Sequence, residues 1–96
     1  MSRQETIHII KNYFKGTPVT KAYLFGSFSR PFEKYKDIDI LIEINKNESV
    51  SLLDLVNYKN DLEDKIKEPI DIIPERALNA RIKTYIDKDK ILIYER

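Results

Sequence analysis

Two aspartates one residue apart, Asp37 and Asp39, sit in the stretch YLFGSFSRPFEKYKDIDILIE (residues 23–43), where the alternate positions are isoleucines. In a strand, residues two apart share a face with their Cα atoms about 6.6–6.8 Å apart, so these carboxylates project side by side. Held that close they repel, which raises one proton affinity unless a cation is present. Oxygen ligands of this kind suit hard divalent cations such as magnesium, and a two-metal site needs carboxylates spanning ions about 3.5–4 Å apart. A third carboxylate on a neighbouring strand would complete the cage. Asp71, flanked by Ile70 and Ile72 facing the other way, is the later residue with the right strand placement.

The pair Gly26-Ser27 supplies the other half of a phosphate-handling site. Glycine lets the backbone come close to an anion, and a helix start after it would aim unpaired N–H groups at that anion. Ser27 adds a hydroxyl donor. Arg30, Lys34 and Lys36 lie between this turn and the aspartates, so positive charge for a triphosphate is available locally. Together these parts suit phosphoryl or nucleotidyl transfer. Glu43 shares the aspartate face further along and reads as surface or as support for the site. His8, the one histidine, reads as ordinary helix surface, and Arg76, Arg81 and Lys83 as a solvated basic helix face.

The elements that must position these residues are legible from periodicity. Ser2 and Glu5 stand at capping-box spacing before a helix with Ile7, Ile10, Tyr13 and Phe14 on one stripe, ending at Gly16. VTKAYLF reads as a first strand that breaks at Gly26. SFSRPFEKYK reads as a short helix or a loop, with Phe28, Phe32 and Tyr35 either packing on the sheet or forming an apolar partner surface. DIDILIEI is the clearest strand, with Ile38, Ile40, Ile42 and Ile44 facing the core. A long amphipathic helix follows, capped at Ser49 or Ser51, with an apolar stripe through Leu52, Leu55, Val56, Leu62 and Ile66, and Pro69 ends it. IDIIPE is a third strand, ERALNARIKTYID a last helix, and KILIYER a closing edge strand. The pattern predicts one α/β (α+β) domain over residues 1–96, a small mixed sheet with helices mainly on one face.

Composition narrows the function classes. With 17 basic and 16 acidic residues the net charge is +1, which removes the uniform pull expected of a general nucleic-acid binder. The chain has no cysteine, so disulfides and thiolate zinc sites are excluded and a reducing cytoplasm is the expected setting. The polar N-terminus MSRQETIHIIKNYF lacks the apolar run of a signal peptide or membrane span.

Gly26-Ser27, nine intervening residues, then Asp37-Ile38-Asp39 running into an apolar strand, with Asp71 later, resembles the signature of the polymerase-β-like nucleotidyltransferases. Among them the chain is most similar to the minimal nucleotidyltransferases, over roughly Ile7 to Ile93. The resemblance implies that Asp37, Asp39 and Asp71 are catalytic and hold two magnesium ions. It also implies that Gly26, Ser27 and Arg30 bind the phosphates of ATP or another NTP. Many family members read Gly-Ser-Arg-Ala-Arg-Gly at the turn; here Arg30 matches the second arginine, while Phe28 and Pro31 replace the first arginine and the last glycine.

Minimal nucleotidyltransferases are commonly paired with a small helical HEPN-domain ribonuclease. The resemblance therefore implies the antitoxin of a toxin–antitoxin pair, transferring AMP to a partner hydroxyl, with a partner tyrosine as the expected acceptor. The alternative is a binding module that neutralises its partner by complex formation alone. The short chain leaves little space for a dedicated small-molecule acceptor pocket, which favours an acceptor held by another chain.

Overall fold

A computed structural model describes residues 1–29 and 37–96, and of Ser27 it describes the backbone alone. Arg30, Pro31, Phe32, Lys34, Tyr35 and Lys36, with the roles expected of them, lie outside the described residues.

Helix α1 (Arg3–Phe14) starts where Ser2, in an extended conformation, accepts a hydrogen bond from the Glu5 backbone N–H. It ends before Gly16, whose φ of +83° reverses the chain at little steric cost. Strand β1 (Val19–Phe25) then runs into a 3-10 turn (Gly26–Ser29). Strand β2 (Ile38–Ile44) returns antiparallel to β1. Helix α2 (Leu52–Ile66) carries the chain over one face, so that β3 (Ile70–Pro74) lies parallel to β2. A second 3-10 turn (Glu75–Ala77), helix α3 (Ala80–Asp87) and strand β4 (Ile91–Glu95) complete the chain, and β4 pairs antiparallel with β1. The sheet order is β3-β2-β1-β4.

The alternation of β2 gives the sheet two different faces. Ile38, Ile40 and Ile42 are fully buried against Ile10 and Phe14 of α1 and Leu62 and Ile66 of α2. On the opposite face Leu41 packs with Tyr23 and with Ile86 of α3, and Phe25, Ile73 and Leu78 border this smaller cluster. The two long helices thus share one face, and among the described residues the eight-residue α3 is the helix on the other.

Two expectations are corrected. In α2 the buried stripe runs through Leu55, Tyr58, Leu62 and Ile66, whereas Leu52 and Val56 are exposed. Val56 sits one residue out of step with that stripe, and Leu52 lies in the first turn beyond the cluster. The last helix is not continuous from Glu75: Leu78 and Asn79 are extended, and the Asn79 side chain accepts from the Ile82 N–H, so a new N-cap restarts the helix. Of the two readings of Phe28, packing on the sheet and an apolar partner surface, the structure takes the first: it is 2% exposed and belongs to the main core. Among the described residues no helix is long and apolar enough to cross a membrane.

The cap of α2 is reciprocal. Ser51 Oγ accepts from the Asp54 N–H at 3.1 Å, and Asp54 Oδ2 accepts from the Ser51 N–H at 2.9 Å. Ser51→Ala is therefore expected to cost about 1 kcal/mol. Urea denaturation checks this, the midpoint falling without a change in the slope.

Candidate active site

Strand register brings the expected carboxylates together. Asp39 of β2 is the Cα partner of Asp71 on parallel β3 and of Phe25 on antiparallel β1. Side chains of register partners emerge on the same face, and neighbouring strands lie about 4.8 Å apart. Phe25, Asp39 and Asp71 thus form one row across three strands, with Asp37 leading into β2. The next row along the same face, Tyr23, Leu41 and Ile73, is apolar. A wall of hydrocarbon therefore backs the carboxylates on one side.

That setting shows in the proton affinity of Asp39. Burial, first, and then the charges of Asp71 and Asp37 push its pKa up from 3.8 to about 6. Asp37 and Asp71 are both exposed. Among the described residues, no three His, Cys, Asp or Glu side chains are drawn into a ready ligand set for a metal ion. Asp71 and Asp37 are both close enough to Asp39 to act on it electrostatically. Their chemistry is all carboxylate oxygen, which fits magnesium and not a soft metal.

The turn after β1 closes on this row. Gly26 has φ +70°, and a Cβ built there would lie 2.5 Å from Asp39 Oδ2. The missing side chain is thus a requirement twice over, for the backbone conformation and for the space that Asp39 occupies. Ser29 Oγ donates to the Gly26 carbonyl at 2.6 Å and closes the turn. Arg3 donates to the Phe28 carbonyl and places its guanidinium 4.7 Å from the centre of the Phe28 ring. Buried Phe28 and Arg3 of α1 together anchor the turn from outside the motif. Sequence reasoning missed Arg3 and Ser29. A serine three residues after the glycine was a legible turn signal; Arg3, 25 residues from its partner, gave none.

The remaining candidates lie apart from the row. Glu43 accepts from the Tyr23 hydroxyl at 2.8 Å; burial, and then this bond, push the Tyr23 pKa up to about 12. His8 is exposed on α1, its Nε2 2.9 Å from Asn12 Nδ2. Arg76, Arg81 and Lys83 do not form the single basic helix face expected. Arg76 lies in the 3-10 turn before α3 and donates to the Val50 carbonyl at 2.6 Å, while Lys83 pairs with Glu75 at 2.6 Å.

Asp39 and Asp71 thus lie side by side on adjacent strands, with Asp37 leading into β2 and the Gly26 turn closed against Asp39. The sequence profile described as polymerase beta, nucleotidyltransferase matches residues 7–96. The chain belongs to this nucleotidyltransferase family. A Methanocaldococcus jannaschii protein named "Putative protein adenylyltransferase" is 38% identical over 69 residues, covering 71% of this chain and 72% of the relative. Two solved structures share the fold. One, a "putative minimal nucleotidyltransferase", superposes with a TM-score of 0.78 over 95% of both chains at 22% identity. The other is a tri-AMPylated Shewanella oneidensis HEPN toxin in complex with MNT antitoxin. A chain of that complex superposes with a TM-score of 0.78 over 99% of this chain and 74% of its own length, at 15% identity. The mixed four-stranded sheet is thus a nucleotidyltransferase core, as the resemblance implied.

Proposed function

We propose that this nucleotidyltransferase transfers AMP from ATP to a tyrosine hydroxyl of a HEPN-domain partner, with magnesium, as the antitoxin of a toxin–antitoxin pair. The observation that carries the reading is the pairing of Asp39 with Asp71 on adjacent strands, next to Asp37 and against the Gly26 turn. The M. jannaschii relative's name supports protein as the acceptor class, and the tri-AMPylated HEPN toxin in complex with MNT antitoxin supports the partner.

Asp37, Asp39 and Asp71 would hold two magnesium ions, which when bound polarise the α-phosphate and balance the charge of the departing pyrophosphate. The chain's own contributions follow from the fold. Gly26, whose lack of a side chain lets the turn close against Asp39, is assigned with Ser27 and Arg30 to the β- and γ-phosphates. Phe25, Tyr23, Leu41 and Ile73 keep the neighbouring surface apolar, which strengthens electrostatic interactions at the row. A carboxylate oxygen of Asp71 receives the proton of the attacking hydroxyl.

The test is to co-express the chain with a HEPN-domain protein encoded beside it, purify the complex, and follow intact mass with ATP and magnesium. The expected result is an adenylyl group on a tyrosine of the partner. Rapid modification of a free small-molecule hydroxyl, with neither complex nor partner modification, would overturn the reading. A complex that forms without any transfer would replace it with the binding-only alternative.

A further inference from the structure

The adenylyl-transfer reading needs a phenol that is free to attack, and the tyrosines among the described residues differ sharply in this respect. Tyr94 and Tyr23 are buried, and the Tyr23 hydroxyl is bonded to Glu43. The Tyr13 hydroxyl donates to Asp61 at 2.5 Å, and Tyr58 is half-buried in edge contact with Tyr13 and Phe14. Tyr85, on α3, is 72% exposed.

Its surroundings on the helix are equally distinct. Arg81 and Lys88 stand four residues before and three after Tyr85, positions that lie beside it on a helix surface, and both are exposed. Ile82, three residues before, is 47% exposed and adds an apolar contact. A phenol between two cations, next to an exposed isoleucine, complements a site made of three carboxylates, a triphosphate and an apolar border. Ile86, the next residue, turns inward onto Tyr23 and Leu41, so α3 is fixed to the sheet and Tyr85 is directed to the outside. An outward phenol is accessible to another molecule.

We propose that Tyr85 of one copy of this chain is an adenylylation acceptor for the carboxylate site of a second copy. The proposal rests on the adenylyl-transfer reading above and gives that activity an acceptor within the chain's own sequence. In the step, the Tyr85 phenol oxygen bonds to the α-phosphorus of ATP and the bond from that phosphorus to the β-phosphate oxygen breaks. Pyrophosphate leaves, and the phenol proton passes to an Asp71 carboxylate oxygen of the second copy and then to solvent. The product carries a bulky anion on the outer face of α3 in place of a phenol, so the modification lowers the positive charge beside Tyr85 and weakens its attraction to the acidic site.

The test separates donor from acceptor. The donor is Tyr85→Phe, which keeps the carboxylate row; the acceptor is a tagged Asp39→Asn copy, which cannot label itself. With ATP and magnesium, the tagged copy is expected to gain one adenylyl group on the peptide holding Tyr85, and an Asp39→Asn/Tyr85→Phe acceptor none. Arg81→Glu in the acceptor should slow labelling severalfold at low salt, with the difference shrinking as salt screens the charges. Equal labelling of both acceptors would overturn Tyr85 as the site. Absence of label from a donor that binds MgATP by calorimetry would overturn Tyr85 alone. Absence of label together with absence of MgATP binding would overturn the adenylyl-transfer reading as well.

Discussion

Asp39→Asn is expected to abolish magnesium-dependent ATP binding and to cut transfer severely while making the protein without metal more stable. The two effects have opposite signs because the burial and neighbouring carboxylates that suit Asp39 to a cation also penalise its ionised form when no cation is bound. In the folded chain, burial and the neighbouring Asp71 and Asp37 push the Asp39 pKa from 3.8 to about 6. The native state therefore holds a proton that the unfolded chain releases, so stability falls as pH rises from about 4 to about 6 and the loss is complete at pH 7. Two pKa units correspond to about 3 kcal/mol, which solvent screening at this half-exposed position reduces to roughly 1–2 kcal/mol. Asparagine is neutral at every pH in this range and avoids the loss. Melting of wild type and variant without metal should then be nearly the same at pH 4, with the variant several degrees higher at pH 7. On the functional side, losing the central carboxylate should lower transfer by on the order of 10²–10³-fold. An identical calorimetric response of both proteins to MgATP would remove Asp39 from the metal site, and a variant that melts lower at pH 7 would remove the repulsion argument.

Much of this site was legible before the fold was known, and what escaped did so for physical reasons. The isoleucine alternation around Asp39 marks β2, and the β-branched and aromatic run VTKAYLF, ended by Gly26, coincides with β1. Nothing local states that Asp71 should stand opposite Asp39. That register depends on the direction of β3, which the crossover through α2 makes parallel. The Arg3 contact to the Phe28 carbonyl and ring spans 25 residues and has no periodic trace. Phe28 itself was ambiguous because a 3-10 turn offers no repeating pattern, and its direction into the core is set by the closure of that turn. The break before α3 was readable in part, since Asn79 is a strong N-cap, but the helical residues before it masked the restart.

Gly26→Ala is expected to damage the site through Asp39, and a double-mutant cycle can show it. Gly26 adopts φ +70°, a conformation that costs a side-chain-bearing residue roughly 1–2 kcal/mol. Beyond that strain, the new Cβ would fall 2.5 Å from Asp39 Oδ2, a separation that non-bonded atoms cannot keep. Either the carboxylate rotates out of its row with Asp71 or the turn shifts away from the sheet. Both outcomes separate the phosphate-binding backbone from the carboxylates. MgATP affinity should fall by at least tenfold, and Gly26→Val should do worse because its branches also enter the space of the triphosphate. In an Asp39→Ala background the colliding oxygen is gone, so the same Gly26→Ala change should cost only the backbone strain. The stability cost of Gly26→Ala should therefore be larger with Asp39 present than without it, a coupling on the order of 1 kcal/mol measurable by denaturant titration of the four proteins. Equal costs in the two backgrounds would mean that the turn does not press on Asp39. Unchanged nucleotide affinity in Gly26→Val would take the phosphates away from this turn, leaving the carboxylate row to bind the nucleotide without it.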